Sequence, residues 1–379
     1  MRYWSPVLHF YQPPTQDTAI TKQILDSCYL PILRILTKKS GFGLTINLSG
    51  TLILQLREFE STEFFDLIRQ LLADGKIELL NSAVYHPIIP LTPPDVVTRQ
   101  ISRNQLQLKN FFGLQSSPGF FPPELAIDTT SLDLIDSQYV VIDQTSLDTY
   151  SPLHKFGQKH LLVNNRPVSD LLRAYPKELK IQTLTNLIVK NCADGGLLVT
   201  ANDAELFGHH YAERIQLLPD LLDLKDIKLI TASQALSQFG SQASEISAIK
   251  ASTWQECQHF SLWDKNGLQK SYLKLLTTAY DLTHDSQEYK VDDYLDKAFS
   301  SCYLYWLSNW PWWHPEMVET GAIALITAVR IAKTDPSKKS QMEVIYHDFL
   351  SKMWQYQWSG EVELNYQKYN LSSDKFLRI

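Results

Sequence analysis

The densest chemistry in the sequence lies at residues 200–210, where Asp203 and Glu205 stand two apart and Gly208 precedes His209 and His210. Carboxyl groups and imidazoles so close together admit three readings: an acid/base pair, a metal site, or a helix capped at its start by Asp203. A further carboxyl stands in Phe121-Pro122-Pro123-Glu124, where two prolines fix the backbone leading to Glu124 among apolar neighbours. A rigid approach and apolar surroundings suit a positioned carboxyl. They equally suit a helix start, because Pro and Glu both favour the first turn. Histidines recur in His9-Phe10-Tyr11-Gln12-Pro13-Pro14 and in Tyr85-His86-Pro87. His9, Tyr11 and Gln12 offer donors and acceptors for hydroxyl groups, against the plainer reading of a satisfied buried histidine and a strand ended by proline. His86, taken alone, is an ordinary turn residue before proline.

Residues far apart in sequence need a scaffold to meet. Short apolar runs at 7–10, 44–48, 76–80, 139–142, 196–200 and 228–230 are separated by amphipathic stretches. In 61–74, Phe64, Phe65, Ile68, Leu71 and Leu72 recur at near-helical spacing and Gly75 supplies a stop; 95–112 reads the same way. This alternation predicts βα units around a parallel sheet, which gathers ligand chemistry at the C-terminal ends of its strands. After about residue 239 the texture changes. Residues 237–250 are rich in serine and small side chains, and beyond them helical patterns run over 267–282, 292–309, 318–333 and 340–356. The expected division is therefore 1–240 and 241–379.

Composition narrows the partners. With 35 basic against 41 acidic residues and no dense Lys/Arg cluster, nothing marks a nucleic-acid footprint or an anionic membrane surface. Cys28, Cys192, Cys257 and Cys302 are scattered without a CxxC pair, as expected of reduced core thiols. No basic segment followed by an apolar stretch opens the chain, and the longest apolar helical pattern, 321–332, is too short to span a bilayer, so the expected location is the cytoplasm.

Taken together and in this order, these segments resemble the five motif regions of glycoside hydrolase family 57, which includes amylases, 4-α-glucanotransferases, branching enzymes and an α-galactosidase. His9-Phe10-Tyr11-Gln12-Pro13 is similar to HxHQP, residues 75–91 to the second region, Phe121-Pro122-Pro123-Glu124 to WxPE, and residues 203–209 to DTELFGH. The fifth region is the loosest match, at Ser252-Thr253-Trp254 through Leu262-Trp263-Asp264-Lys265-Asn266. Two departures stand out: Tyr11 replaces the second histidine of the first motif, and Phe121 replaces the tryptophan of the third.

The resemblance implies a seven-stranded (β/α) barrel over 1–240, with a C-terminal helical domain over 241–379 that contributes to the substrate cleft. It implies a retaining double displacement on α-linked oligo- or polysaccharides, with Glu124 as nucleophile and Asp203 as general acid/base, and with neither metal nor cofactor. Two separate carboxyl segments suit that chemistry, since one group protonates the leaving oxygen while the other attacks from the opposite face. It further implies that His9, Gln12, His86 and His209 line the sugar subsite beside Tyr11 and Phe121, that Glu205 supports Asp203, and that Trp254 and Trp263, with Asp264 alongside, stack on sugar rings. For the tryptophans, and for the later group Trp306, Trp310, Trp312 and Trp313, packing in a core is the competing explanation.

Two alternatives stay open on the sequence. A metal-dependent polysaccharide deacetylase would recruit Asp203, His209 and His210 as ligands, although its usual acidic pair and HxxxH spacing are missing. A catalytically silent sugar-binding homologue would account for the changes at Tyr11 and Phe121.

Overall fold

The computed structural model describes residues 1–174, 180–255, 257, 259–286, 288–309 and 312–372. Its strands are β1 (Arg2–Phe10), β2 (Leu44–Leu48), β3 (Ile77–Leu80), β4 (Gly119–Phe120), β5 (Tyr139–Asp143), β6 (Leu153–Phe156), β7 (Lys159–Asn164), β8 (Leu197–Asp203), β9 (Ile227–Leu229) and β10 (Ser244–Glu245). β1 lies at the centre of one sheet, flanked in parallel by β2 and β8, with β3 beyond β2 and β9 against the start of β1. The other sheet runs β10-β6-β7-β5-β4.

Two seams join the sheets. Asn81, just past β3, forms a parallel bridge to Phe120 of β4, and the Asn165 amide beyond β7 donates to the Val199 carbonyl of β8 at 2.8 Å. The circuit β1-β2-β3-β4-β5-β7-β8 and back to β1 is thus a closed ring of seven parallel strands among the described residues, the barrel that the family resemblance implies. Closure explains the composition of the strands. β2 and β5 are buried at every residue, because a barrel strand faces side chains within and helices without.

One apolar cluster fills the layer between β1–β3 and the surrounding helices, with Phe10, Ile46 and Leu48 against Leu33, Leu52 and Ile68. Another lies within the barrel and includes Val7, Phe121, Val199 and Trp254. A further core belongs to the C-terminal helices Gly267–Thr283, Tyr289–Ala298, Pro315–Ile331 and Pro336–Trp358, and it takes in Ile88, Val96 and Ala126 from the barrel side.

The pattern expected to form one helix over 292–309 is broken. The helix Tyr289–Ala298 stops and a new one begins at Ser301. Ser300 turns extended (φ −54°, ψ 132°) and bridges antiparallel to Pro87, while the Ser301 amide donates to the His86 carbonyl at 2.9 Å. A tertiary contact with the barrel rim thus outweighs local helical periodicity. The serine-rich stretch 237–250 holds the end of the helix Ala232–Phe239 and β10, which pairs with β6. Among the described residues, no helix is long and apolar enough to cross a membrane, and all four cysteines are free.

Candidate active site

Every strand of the ring ends on the same rim, which is what brings distant motifs together. β1 ends in His9 and Phe10 and runs on to Tyr11 and Gln12; β2 contributes Asn47; the loop after β3 carries Tyr85 and His86; β4 leads into Phe121 and Glu124; β8 ends at Asp203. The β1–β8 register sets His9 directly beside Asp203.

Glu124 does not begin a helix. It sits in a short turn, Pro123–Leu125, at φ 59°, ψ 15°, and Leu125 follows at φ 46°. A left-handed conformation at a non-glycine residue costs on the order of 1–3 kcal/mol and persists only where the surroundings impose it. Here an antiparallel return segment does so. Ile127 and Ser252 exchange backbone hydrogen bonds, the Trp254 amide donates to the Glu124 carbonyl at 3.1 Å, and the Thr253 hydroxyl donates to the same oxygen at 2.6 Å. The side chain is held as well. Trp254 Nε1 donates to Glu124 Oε2 at 2.8 Å and Gln255 Nε2 at 3.2 Å.

Asp203 contrasts with it. It occupies the position before the turn Ala204–Leu206, yet its side chain makes no capping hydrogen bond, so the capping explanation fails. Burial raises the proton affinity of both carboxyls. For Glu124 the Trp254 and Gln255 donors and the Arg173 charge oppose the rise. For Asp203 the Glu124 charge adds to burial, and only Arg173 opposes it. Two carboxyls in one cleft with unequal donors make one better suited to bear charge and the other better suited to bear a proton.

His9 and His86 form a pair of anchored rings. His9 Nδ1 meets Asn47 Oδ1 at 2.6 Å and His86 Nδ1 meets Ser301 Oγ at 3.0 Å. Both Nε2 atoms are buried without a partner. Burial lowers both imidazoles, His9 to about 4, so they are neutral at ordinary pH. Phe121 stacks on His9 at 4.8 Å and Tyr11 stacks on His86 at 4.0 Å, extending the two histidines into a continuous aromatic layer. The Tyr11 hydroxyl lies 3.3 Å from Ser300 Oγ and 3.1 Å from Cys302 Sγ, so it ties the barrel rim to the helices. Both departures from the motif therefore lie in this aromatic layer.

Gln12 and Glu205 are buried together, with Gln12 Nε2 donating to Glu205 Oε1 at 3.0 Å. His209 is half-buried on the same loop, its amide donating to the Glu205 carbonyl at 3.2 Å. The two tryptophans expected to stack on sugars are both buried, in different surroundings. Trp254 is 6% exposed, packs edge-on to Phe121 and His9, and lines a pocket with Arg173, Asn202 and Asp203. Trp263 is fully buried in the helical core, away from any open face. Asp264 ends the short helix Ser261–Asp264, half-buried. Of the later tryptophans, Trp313 is buried in the helical core and Trp306 packs on Tyr303; Trp310 lies outside the described residues.

Several groups at the site carry no motif signal. Asn47 lies inside the apolar run of β2, one residue before its end, with nothing in the sequence to single it out. Tyr29, Arg173, Ser301 and Tyr305 reach the site from helices, and Tyr305 interacts electrostatically with both Glu124 and Asp203. Among the described residues, no three His, Cys, Asp or Glu side chains are grouped to hold a metal ion, so Asp203, His209 and His210 do not form the ligand set a deacetylase would require.

Solved structures share this architecture. The chain matches a branching enzyme from Thermococcus kodakaraensis with a TM-score of 0.71 at 14% identity, over 92% of this chain and 95% of that one. It matches a 4-alpha-glucanotransferase from Thermococcus litoralis with a TM-score of 0.73 at 17% identity, over 88% and 60%. In sequence, a segment of 144 residues is 26% identical to Alpha-amylase 1 of Dictyoglomus thermophilum, covering 37% of this chain and 21% of the amylase. The chain thus spans about a fifth of the length of the curated relatives it matches. The family model for glycosyl hydrolase family 57 matches residues 9–251, nearly the whole barrel with the Glu124 and Asp203 segments, and the chain belongs to that family.

Proposed function

We propose that this protein is a retaining α-glycosidase or α-glucan transglycosylase acting on α-linked oligo- or polysaccharides in the cytoplasm. Glu124 attacks the anomeric carbon and forms a glycosyl ester while Asp203 gives its proton to the departing glycosidic oxygen. Asp203 then takes a proton from water or from a sugar hydroxyl, which attacks the same carbon and frees Glu124. The two bond exchanges each invert the centre, so configuration is retained.

The observation that carries this reading is the unequal pair of carboxyls. Glu124 accepts two N–H donors that favour its anion, whereas burial and the Glu124 charge favour a proton on Asp203. The unpartnered Nε2 atoms of neutral His9 and His86 support it, because a buried ring nitrogen without a partner is costly until a ligand hydroxyl satisfies it. The amylase, branching-enzyme and glucanotransferase relatives point to α-glucans as the first substrates to try.

A 2-fluoro or 5-fluoro α-glycosyl fluoride should inactivate the protein and label a peptide containing Glu124. Malto-oligosaccharides and aryl α-glucosides or α-galactosides should be turned over with retention, read by NMR of the first-formed anomer. Tight oligosaccharide binding without label or turnover would instead identify a silent binder and end the catalytic reading.

A further inference from the structure

The loop that carries Asp203 rests on an unusual element. Between the helices Thr18–Ile24 and Leu30–Lys38 the chain makes a π-helical turn, Leu25–Tyr29, in which the Leu30 amide reaches back to the Leu25 carbonyl. Pro31 follows in the chain and has no N–H to give to the Ser27 carbonyl. Such turns are rare and tend to mark functional sites.

Three consecutive residues of this turn grip the loop. The Ser27 carbonyl lies so close to Gly208 that a Cβ there would sit 2.2 Å from it. Cys28 Sγ donates to the Ala204 carbonyl at 3.2 Å. Tyr29, fully buried, donates its hydroxyl to Glu205 Oε1. The same hydroxyl lies 3.1 Å from the Tyr11 carbonyl, a second acceptor, and accepts from Gln12 Nε2 at 3.0 Å.

Among the described residues, no cation touches Glu205. Its side-chain donors are a phenol and an amide, both neutral, and the residue is buried. A phenol has one proton, and here it has two acceptors within reach. When Glu205 is ionised, Tyr29 serves it best by donating to the carboxylate. When Glu205 is protonated, the Tyr29 proton can turn to the Tyr11 carbonyl.

We infer that Tyr29 is a positioning residue that stabilises the Glu205 anion and, through that charge, sets how firmly Asp203 holds the proton it must give and take back. This rests on the proposed role of Asp203. The direction follows from Coulomb's law: an ionised Glu205 two residues away makes Asp203 a weaker acid. The other groups that bear on Asp203 are the Glu124 carboxyl, which acts in the same direction, the Arg173 guanidinium, which opposes it, and Tyr305. Glu205 is faced by Asp203, Tyr29, Gln12 and Cys28. Burial and the Asp203 charge push Glu205 up to about 8, against the Tyr29 and Gln12 donors, so the two carboxyls share charge and a dedicated donor decides how much of it rests on Glu205.

The test is Tyr29→Phe, which keeps the ring packed against Phe10 at 4.9 Å and removes only the hydroxyl. The Asp203 carboxyl is followed by 13C NMR titration of protein labelled at aspartate and assigned with Asp203→Asn. In Tyr29→Phe the Asp203 titration, and with it the alkaline limb of kcat/KM, should move to lower pH by about half a unit to one unit. Glu205→Gln should move it the same way, and Tyr29→Phe added to Glu205→Gln should add nothing. An Asp203 titration unchanged in Tyr29→Phe, or a shift that persists in the Glu205→Gln background, would overturn the inference. A uniform fall in rate with both limbs in place would do the same. The NMR titration needs no turnover, so a chain with no activity toward any α-glucan would sink the catalytic reading while leaving this coupling measurable. If Tyr29→Phe fails to fold, Glu205→Gln against Cys28→Ala separates charge from packing: only the former should shift Asp203.

Discussion

Glu124 and Asp203 differ less in chemistry than in what donates to them, and that difference can be removed one atom at a time. Trp254→Phe keeps an aromatic ring against Phe121 and His9 but withdraws the N–H that meets Glu124 at 2.8 Å. A hydrogen bond to a charged group contributes about 1.5–3 kcal/mol, equivalent to about one to two pH units. The acid limb of kcat/KM, where Glu124 must be ionised, should therefore move upward by about one unit with a lower plateau; an unmoved limb would remove Trp254 from this role. Asp203 offers a stability readout. Its proton affinity is raised in the folded chain, so the native state holds that proton where the unfolded chain has lost it. Stability linked to this group is full below the ordinary aspartate range and declines as pH rises through the raised native value. Asp203→Asn should accordingly melt a few degrees higher than wild type at pH 8 and nearly level with it at pH 4, measured by calorimetry, while losing turnover by orders of magnitude. At this scale the motif residues were legible, because proline, histidine and carboxyl side chains announce themselves. Their hydrogen-bond partners were not. Asn47, Tyr29 and Ser301 have ordinary compositions around them, and only the fold shows that they orient His9, Glu205 and His86.

Elements place these side chains by giving up regularity where the site needs it. His86 at φ 58° and Glu124 at φ 59° depart from regular geometry at the ends of strands, and the π-helical turn departs from it inside a helix. The loop after β8 needs a glycine for two reasons: Gly208 is at φ 115°, and the Ser27 carbonyl leaves no room for a Cβ. Gly208→Ala should lower stability by about 2–4 kcal/mol in urea unfolding and reduce activity together with it, since backbone and clash both oppose the methyl group. A variant of wild-type stability would show that the turn can retreat from the loop. The long strands were legible from their apolar runs. The two-residue β4 was not, because two residues give no periodicity, and β7 was hidden by its polar start, Lys159 and His160. The break at Ser300 was equally invisible, since the pairing partner that forces it, Pro87, lies more than two hundred residues earlier.

Across the whole molecule, the two halves that the sequence texture separates share their cores and their site. Ile88, Val96 and Ala126, from the barrel side, are buried in the same cluster as the C-terminal helices. Arg99 and Arg103 on the barrel helix Pro94–Phe112 close on Asp296, which is fully buried in Tyr289–Ala298, and the Tyr85 hydroxyl donates to Asp293 at 2.7 Å next to His86. Breaking a buried pair of this kind from one side costs about 3–5 kcal/mol. The ladder that holds Glu124 left-handed comes from residues 252–254, and the Nδ1 partner of His86 comes from Ser301. A boundary drawn at residue 240 cuts through all of these contacts. Each large apolar side chain left exposed there costs about 1.5–3 kcal/mol, before the stranded arginines are counted. We therefore expect a chain of residues 1–240 to be unable to fold alone, eluting as aggregate in size-exclusion chromatography and lacking a cooperative melt by circular dichroism. A soluble monomer of 1–240 with a sharp transition would establish the barrel as an autonomous domain. It would also mean that the left-handed turn at Glu124 is imposed from within the barrel and not by the segment that crosses it.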